Sequence, residues 1–527
     1  MDRYLSRYLS VVVPLLAVLM VVAGCAGPAA HCFDVVVYGG TAGGAVAAVA
    51  AARDGASVAL LEPRRHIGGM VSGGLGATDF GNKAVIGGMS RDFFVRAGRH
   101  YGEPIAWHFE PHVAEQILRD WLRDAGVQVF FDHRLERVDQ KANRIRQIRM
   151  ENGQVFAAKV FIDCTYEGDL MARAGVSYTW GREGREQYGE SLAGVQERSQ
   201  YHQFDVPVSS RDESGKLLPG VYTGDKGKPG DGDKKVQAYN FRVCLCNRKE
   251  NQVPFPRPAD YDPRRYEILK RYLAVRGKDL KLGNIIHVSM MPNGKTDVNN
   301  NGPFSTDHIG ANWDYPEADY QRRQAIWDDH ASYVQGLFYF LANDPSVPKH
   351  LQDEMNQWGL AKDEFADTGH WPHQLYVREA RRMVGEHVMT QKDIQEDRSK
   401  SDTIGMGSYG TDSHHLQRVV RPDGTLENEG DVQVPIRPYE IPYRSLTPKQ
   451  AECENLLVPV CMSASHIAYG SLRMEPQYMI MGQSSGVAAA CAGRLGIAVQ
   501  KVDVPALQAR LREQAQILNS PKNSSNR

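Results

Sequence analysis

The sequence predicts an α/β fold: a largely parallel sheet flanked by helices, with an α+β region inserted between its parts. Three segments carry this prediction. Residues 34–62 run as an apolar strand, a glycine turn, a helix of small residues and a second apolar strand. Residues 159–163 form another apolar strand, and residues 455–492 again have the pattern of an apolar strand followed by a helix. Short apolar runs of this kind are typical of strands buried on both faces of a parallel sheet.

The segment 34–62 has the pattern of a βαβ unit that holds a dinucleotide. Gly39 allows the tight turn after the first strand, and Gly40 and Gly43 let the backbone approach a pyrophosphate. Gly44 lets the helix pack closely on the strand, and the helix N-terminus points free N–H groups at the phosphates. Glu62, at the end of the second strand, is positioned to accept hydrogen bonds from a ribose.

One position departs from the G-x-G-x-x-G pattern, because Thr41 stands where the second glycine is expected. An ordinary α/β turn without a ligand is the alternative interpretation. The strands on both sides of the turn and the acid at the expected distance favour the dinucleotide.

The rest of the chain is divided by its periodicity and its glycine content. A glycine-rich loop at 68–76 is too elaborate for a simple connector, and residues 208–236 have loop composition. Further strands are expected at residues 127–131, 145–150, 236–247 and 455–463. Further helices are expected at residues 111–125, 264–276, 319–341, 376–390 and 471–492.

The N-terminus reads as a targeting segment. Arg3 and Arg7 precede an apolar run at 9–22, which is short for a membrane span. Val22-Ala23-Gly24-Cys25 resembles the lipobox of bacterial lipoproteins, so we expect cleavage before Cys25 and a lipid anchor on it. A plain secretory signal is the alternative, and both place the mature protein outside the cytosol.

Composition gives no sign of a nucleic-acid partner or a metal. The 527 residues include 62 basic and 63 acidic ones, without a charged tail. Eight cysteines are spread thinly; Cys244 and Cys246 lack further ligands nearby, and the loop 297–302 lacks the final glutamate of a calcium site. We therefore predict no metal site.

Five stretches carry a resemblance to a known family. They are 38–44, 65–70, 161–170, 376–385 and 463–476, which together with their surroundings cover most of residues 34–500. The chain resembles exported bacterial FAD-dependent oxidoreductases of the glutathione-reductase-like superfamily, some of which carry a xanthan-lyase label. The resemblance implies a Rossmann-like FAD-binding domain with an inserted substrate or cap domain.

The resemblance also implies the residues that hold FAD. The pyrophosphate turn would comprise Gly39, Gly40, Thr41, Ala42, Gly43 and Gly44. The other implied FAD-binding residues are Glu62, Pro63, Arg64, Gly69, Met70, Leu135, Thr165, Gly168, Asp169, Ser463, Met474 and Glu475. Among these, Leu135 would lie near the adenine, Ser463 near the ribityl chain, and the helix start at Met474 and Glu475 near the flavin pyrimidine.

The implied domain organisation follows from the same stretches. Its five parts are a lipoprotein signal peptide at 1–24, FAD-binding parts at 33–180 and 431–500, a substrate or cap domain at 181–430, and a disordered tail at 519–527.

Flavin would perform the redox chemistry, and the protein would orient the substrate and transfer protons. His466 is the first candidate for a base, and His414 in a polar turn is the second. Arg381 and Arg473 are candidates for binding a carboxylate or an oxyanion. A structural role is the alternative for each of the four.

The expected function is FAD-dependent oxidation or reduction of a small organic substrate outside the cytosol, with a carbohydrate derivative as one candidate class. The sequence does not indicate the electron acceptor. The alternatives are lyase-type or non-redox chemistry on a polysaccharide, and a binding protein that has lost its flavin.

Overall fold

The computed structural model describes residues 30–520. The predicted signal peptide, the lipobox and residues 521–527 of the predicted tail lie outside the described residues. The main sheet comprises β1 (His31–Tyr38), β2 (Val58–Leu61), β3 (Gln128–Phe130), β4 (Leu135–Lys141), β5 (Arg144–Met150), β6 (Val155–Asp163) and the late β20 (Leu456–Leu457).

The core of this sheet is parallel, as predicted. β1 pairs in parallel with β2 on one side and with β6 on the other, and β2 continues to β3. β20 adds to β6 in parallel, whereas β4, β5 and β6 form an antiparallel meander. The carboxyl ends of β1, β2 and β6 therefore meet at one edge, where ligands bind in open α/β sheets.

Helices cover the sheet and fill the inserted region. In the described residues they are α1 (Ala42–Arg53), α2 (Gly88–Tyr101), α3 (Pro111–Asp124), α4 (Asp169–Arg173), α5 (Arg185–Tyr188), α6 (Glu267–Arg276), α7 (Tyr320–Asn343), α8 (Lys349–Met355), α9 (Gln391–Gln395), α10 (His466–Leu472), α11 (Glu475–Leu495) and α12 (Val504–Glu513). α1 and α11 are buried along almost their whole length. Both helices consist largely of small residues, so their backbones approach each other closely instead of packing through a stripe of large apolar side chains.

The inserted region is built from small sheets around an aromatic core. Its strands are β7 (Tyr178–Thr179), β8 (Leu245–Cys246), β9 (Gln252–Val253), β10 (Ile286–Met290), β11 (Thr296–Asn300), β12 (Gly359–Ala361), β13 (Arg382–Met383), β14 (Thr403–Gly407), β15 (Thr411–Ser413), β16 (Gln417–Val420), β17 (Leu426–Glu429), β18 (Val432–Val434) and β19 (Tyr439–Pro442). The predicted loop at 208–236 contains none of these strands. The fold class is thus confirmed, and the exact domain boundaries stay a prediction.

The predicted helix at 376–390 is wrong. This segment is extended: Tyr376 bonds to the backbone of Asn240, and β13 pairs with β7. Arg378 and Arg382 are both fully buried with their charges. Arg378 pairs with Asp307, and Arg382 pairs with Glu183 and Glu379, so the extended course brings each guanidinium group to its own carboxylates.

Three further elements differ in length from the prediction. Only Leu245–Cys246 of the predicted strand 236–247 and only Leu456–Leu457 of the strand 455–463 form ladders. The late helix is divided at Arg473, so that α10 ends and α11 begins at Glu475. Pro476 lies in the first turn of α11, where a backbone N–H has no partner within the helix, so the missing N–H of proline costs no hydrogen bond.

Within residues 30–520 no helix is both long and apolar enough to cross a bilayer. The seven cysteines of this part of the chain are all free thiols, and most are buried.

The contact between α1 and α11 leads to a stability prediction. A Cβ atom at Gly486 would lie 2.2 Å from the carbonyl oxygen of Ala47, whereas one at Gly493 would meet nothing closer than 3.7 Å. We expect Gly486→Ala to lower the free energy of unfolding by about 1–3 kcal/mol or more. Gly493→Ala, in the same helix, should leave it unchanged or raise it by about 0.5–1 kcal/mol. Urea unfolding of both variants checks this, and equal stability of the two would contradict the close packing.

Candidate functional site

A cavity of about 970 Å³ opens at the edge where β1, β2 and β6 end. Seven of the predicted FAD-binding residues line it: Gly39, Thr41, Glu62, Pro63, Arg64, Thr165 and Asp169. Its lining also includes Asp132, Asn152, His373 and Gln374. A cavity at the carboxyl ends of parallel strands suits a dinucleotide.

The glycine turn is held tightly beneath the cavity. Gly39 has φ +99°, and a Cβ atom there would lie 2.7 Å from the backbone nitrogen of Thr165. Thr41 caps α1: its hydroxyl accepts from the backbone N–H of Gly44 at 3.1 Å and donates to the carbonyl of Cys164 at 2.8 Å. The threonine that breaks the glycine pattern therefore ties the turn to β6 and fixes the start of the helix. Ala42, Gly43 and Gly44 are buried behind it.

Glu62 lies where a ribose-binding acid is expected. Its carboxylate accepts from the backbone N–H groups of Gly40 and Arg64, both at 2.7 Å. Burial raises the pKa of Glu62 to about 7, although these two hydrogen bonds act in the opposite direction. A ribose hydroxyl would supply further donors to this carboxylate.

The turn after β6 closes the floor of the cavity. Asp163 accepts from the hydroxyl of Thr165 at 2.7 Å and from the backbone of Met171 at 2.8 Å. Gly168, in the left-handed conformation, precedes α4, and its N–H donates to the Thr165 hydroxyl at 3.0 Å. Burial raises the pKa of Asp163 to about 6.

Asp169 joins this turn to the inserted region. Arg323 of α7 lies 2.7 Å from its carboxylate, and Arg381 lies 2.8 Å from it. Burial alone would raise the pKa of Asp169, but the two guanidinium groups lower it below its usual value. Arg381 also pairs with Glu317 at 2.7 Å. Both of its charge partners are protein carboxylates, so a structural role fits Arg381 better than the predicted substrate contact.

α7 supplies a wall of the cavity that the sequence did not predict. Tyr320, Arg323 and Trp327 line the cavity from this helix, and Arg64 lies over the Trp327 ring at 3.7 Å. The hydroxyl of Tyr320 donates to the carbonyl of Leu135 at 3.0 Å. The available signal was the aromatic, amphipathic pattern of 319–341, which sequence alone does not connect to a distant turn.

Leu135 is buried beside the cavity rather than exposed in it. Its N–H donates to the hydroxyl of Tyr38 at 3.0 Å, and its carbonyl accepts from Tyr320. Both backbone groups that an adenine would use are therefore engaged by tyrosines.

The predicted flavin end lies around Tyr166. The backbone N–H of Met70 donates to the hydroxyl of Tyr166 at 2.9 Å, and this hydroxyl donates to the carboxyl group of Glu475 at 2.6 Å. Glu475 begins α11 directly after Met474, which is the N-cap residue. A Cβ atom at Gly69 would lie 2.4 Å from the Tyr166 hydroxyl. The structure thus brings the glycine loop and the start of the late helix together.

Ser463 is placed differently from its predicted role. It is fully buried, and its hydroxyl accepts from the backbone N–H of Gly385 at 3.0 Å. It is not among the residues that line the cavity. Its hydroxyl secures the extended segment that replaces the predicted helix.

Three of the four catalytic candidates belong to one buried polar network. His466 Nδ1 lies 2.8 Å from Glu379, and Glu379 accepts from the Gln237 amide at 3.0 Å. Gln237 in turn accepts from the backbone N–H of His414 at 3.2 Å. His414 pairs with Asp307 at 2.6 Å. Sequence reasoning missed Gln237, which no motif marks, and Glu379, which lies in the resembling stretch 376–385 but was not singled out.

His466 is oriented by a charged partner. Burial would raise the pKa of Glu379, but His466 and Arg382 lower it to about 2, so the group is a carboxylate. His466 Nε2 is buried and has no hydrogen-bond partner among residues 30–520. A carboxylate that holds one imidazole nitrogen leaves the other available for proton transfer. His466 does not, however, line the large cavity.

Arg473 lies at the other end of this network. It donates to the carboxylate of Asp412 at 3.1 Å and to the hydroxyl of Tyr376 at 3.0 Å. His414 Nε2 lies 3.8 Å from the same Asp412. Arg473 is thus already paired with an acid, which favours a role in positioning Tyr376 and Asp412.

A family model for FAD-dependent oxidoreductases matches residues 34–511. The chain belongs to this FAD-dependent oxidoreductase family. The match includes the glycine turn, the inserted region and the late helix, so the predicted cofactor, FAD, is confirmed. A comparison with curated proteins found no match.

Solved structures give distant likenesses. A geranylgeranyl bacteriochlorophyll reductase-like protein from Thermoplasma acidophilum is 13% identical, with 92% of this chain and 83% of that chain covered and a TM-score of 0.35. The myxobacterial chondrochloren halogenase CndH is 19% identical, with 29% and 41% covered and a TM-score of 0.23. THI4 of Thermovibrio ammonificans is 23% identical, with 29% and 66% covered and a TM-score of 0.24. The chain covers less than two thirds of the latter two proteins, and none of these likenesses bears on the reaction.

The residues at the site fit FAD. The cavity passes the glycine turn, the N-terminus of α1 and Glu62, as a pyrophosphate and ribose require. Behind the cavity-lining Tyr166, Glu475 Oε2 is buried without a hydrogen-bond partner within residues 30–520. A polar flavin edge at the start of α11 would satisfy such an atom, because buried polar groups are normally hydrogen-bonded.

Glu475 makes the stability of the FAD-free protein depend on pH. Burial raises its pKa from 4.5 to about 8, against the hydrogen bond from Tyr166. Its contribution to stability is therefore fully present below about pH 4.5 and is lost as the pH rises through about 8. We expect the wild type to lose on the order of a few kcal/mol relative to Glu475→Gln between pH 5 and pH 9. Urea unfolding of both proteins across this range measures the difference, and parallel pH profiles would show that Glu475 is not buried as a neutral acid.

Proposed function

We propose that this FAD-dependent oxidoreductase is an exported, lipid-anchored enzyme that oxidises a small organic substrate, with a carbohydrate derivative as the candidate class. The observation that carries the proposal is the cavity at the strand ends, which is lined by the residues expected to hold FAD. Bound FAD would accept the electrons of the substrate. The choice of a carbohydrate derivative rests on the expected location outside the cytosol.

The flavin end of the cavity has the polarity that a hydroxylated substrate needs. Trp371, His373 and Gln374 line this end together with His66. The two imidazole rings stack at 3.9 Å between centroids. Burial lowers the pKa of His373 to about 3, so its ring stays neutral. An aromatic surface beside such groups suits a sugar ring, which has apolar faces and polar edges.

His466 is our candidate for the base that removes the hydroxyl proton of the substrate. Glu379 would hold its Nδ1 proton and stabilise the imidazolium that forms. Gln237 and Arg382 would keep Glu379 ionised and in place. This role requires the substrate to reach His466 Nε2 from the flavin end of the cavity.

The first experiment measures visible absorbance of the mature protein before and after denaturation. We expect flavin bands that are released as free FAD, since no covalent attachment is proposed. Glu62→Ala should lower FAD affinity roughly 10-fold or more, by the loss of a hydrogen bond to a charged group. Glu103→Ala, an exposed acid elsewhere on the surface, is the matched control and should bind FAD normally.

Anaerobic mixing with candidate sugars then tests the reaction. Bleaching of the flavin supports oxidation of the substrate. A coloured protein that cleaves a polysaccharide without bleaching would favour the lyase-type alternative. A protein that stays colourless after incubation with FAD would overturn the proposed function.

A substitution at His466 tests the base. With a substrate that bleaches the flavin, we expect His466→Asn to slow the reductive step about 10²–10⁴-fold while the bound flavin spectrum stays unchanged. His287→Gln, at an exposed histidine, should react as the wild type does. A His466 variant that keeps the wild-type rate of the reductive step would assign the residue a structural role instead.

The anchor rests on the N-terminal sequence alone. Arg3, Arg7 and the apolar run 9–22 precede the lipobox-like Val22–Cys25. Cys25→Ala should move the protein from the membrane fraction to the soluble fraction of the cell envelope. Unchanged fractionation would favour the plain secretory signal.

A further inference from the structure

We propose that His308, Asp329 and His330 form a binding site for a divalent cation of the Zn²⁺ class. The site lies in the inserted region, and the three residues provide two imidazole nitrogens and one carboxylate oxygen within 4.8 Å of one another. This is a ligand set that zinc accepts, with a fourth position left for water. The sequence predicted no metal site because His308 is separated along the chain from the other two residues.

The two imidazoles are prepared as ligands. His330 Nδ1 bonds to the carbonyl of Ile326 at 2.7 Å, which fixes the proton on Nδ1 and leaves a lone pair on Nε2. Metal-binding histidines are oriented in this way by a bond from the second nitrogen. His330 Nε2 and His308 Nδ1 are both buried, and neither has a hydrogen-bond partner among residues 30–520.

The carboxylate is placed at ligand distance. Asp329 Oδ2 lies 3.3 Å from His308 Nδ1, although the two are not aligned as a hydrogen bond. Bonds of about 2.0–2.1 Å around a tetrahedral zinc ion put neighbouring ligand atoms roughly 3.3 Å apart. Arg265 holds the other oxygen, Oδ1, at 2.8 Å, and the His308 ring stacks on Tyr333 at 4.1 Å. The Asp329 side chain is 44% exposed, which leaves an entry path for a cation.

The charges around the site also suit a cation. The cationic groups near the site are Arg265 and Arg418, and Arg265 is paired with Asp329. A carboxylate thus offsets the charge of one of these two guanidinium groups.

The other two histidine clusters in the described residues are less suited to a metal. Both nitrogens of His66 already face carboxylates, Glu115 and Asp367, at 3.1 Å. In the cluster around His112, that residue pairs with Glu364 at 2.6 Å, and the acid Glu110 is held by a buried lysine. A cation would have to break these pairs.

A bound cation would brace two parts of the FAD site. α7 carries two of the proposed ligands, Asp329 and His330, and also Arg323 and Trp327, which line the cavity. Asp307 precedes His308 and pairs with His414 in the buried network. The cation would therefore fix the cavity helix against the segment that begins this network.

The test is calorimetric titration of the chelator-treated full-length protein with Zn²⁺. We expect one tight site per chain, and roughly 100-fold weaker binding in both His308→Gln and Asp329→Asn. Asp329 is half-exposed, so its variant should fold even if a variant of buried His330 does not. The matched controls are His112→Gln and His373→Gln, which alter the other two clusters and should leave the affinity unchanged.

X-ray absorption of the zinc-loaded wild type provides a second readout that needs no variant. We expect nitrogen and oxygen neighbours with the scattering pattern of imidazole, and no sulfur. The absence of a tight site, unchanged affinity in His308→Gln and Asp329→Asn, or sulfur neighbours from the free cysteines would each overturn the proposal.

Discussion

The close approach of the α1 and α11 backbones is the constraint on which the rest of the site depends. Gly43 and Gly482 lie in contact along this interface, where a Cβ atom on Gly482 would be 2.2 Å from the carbonyl oxygen of Gly43. This contact places the N-terminus of α1 and the start of α11 on the same side of the sheet. Both helix ends can then direct free N–H groups at one elongated ligand.

The inserted region is joined to this frame by buried charges rather than by apolar packing alone. Asp169, in the turn after β6, is shared by Arg323 of α7 and by Arg381. Desolvation makes such ion pairs costly to form, and removing one partner leaves a buried charge. The arrangement therefore contributes more to the fixed position of α7 over the cavity than to net stability. A cation bound by His308, Asp329 and His330 would also help to fix the position of α7 over the cavity.

The polar network behind the flavin end follows a similar principle. Glu379 is ionised because His466 and Arg382 face it, and Gln237 links it to the segment of His414. Such a network holds one arrangement of its side chains, since each buried polar group needs its own partner. The network would therefore hold the side chains that reach the reacting centre in fixed positions.

The sequence by itself determined the FAD-binding frame, from the strand at residue 34 to Glu62 and the late helix, and it indicated the family. Local pattern is sufficient there because a glycine turn between an apolar strand and a small-residue helix has few other uses. It did not determine the extended course of 376–390, where buried Arg378 and Arg382 take their partners from distant segments. Nor did it place Tyr320 and Trp327 over the cavity or bring His308 to His330. Only the tertiary structure decides these contacts, because they join residues whose spacing along the chain carries no periodicity.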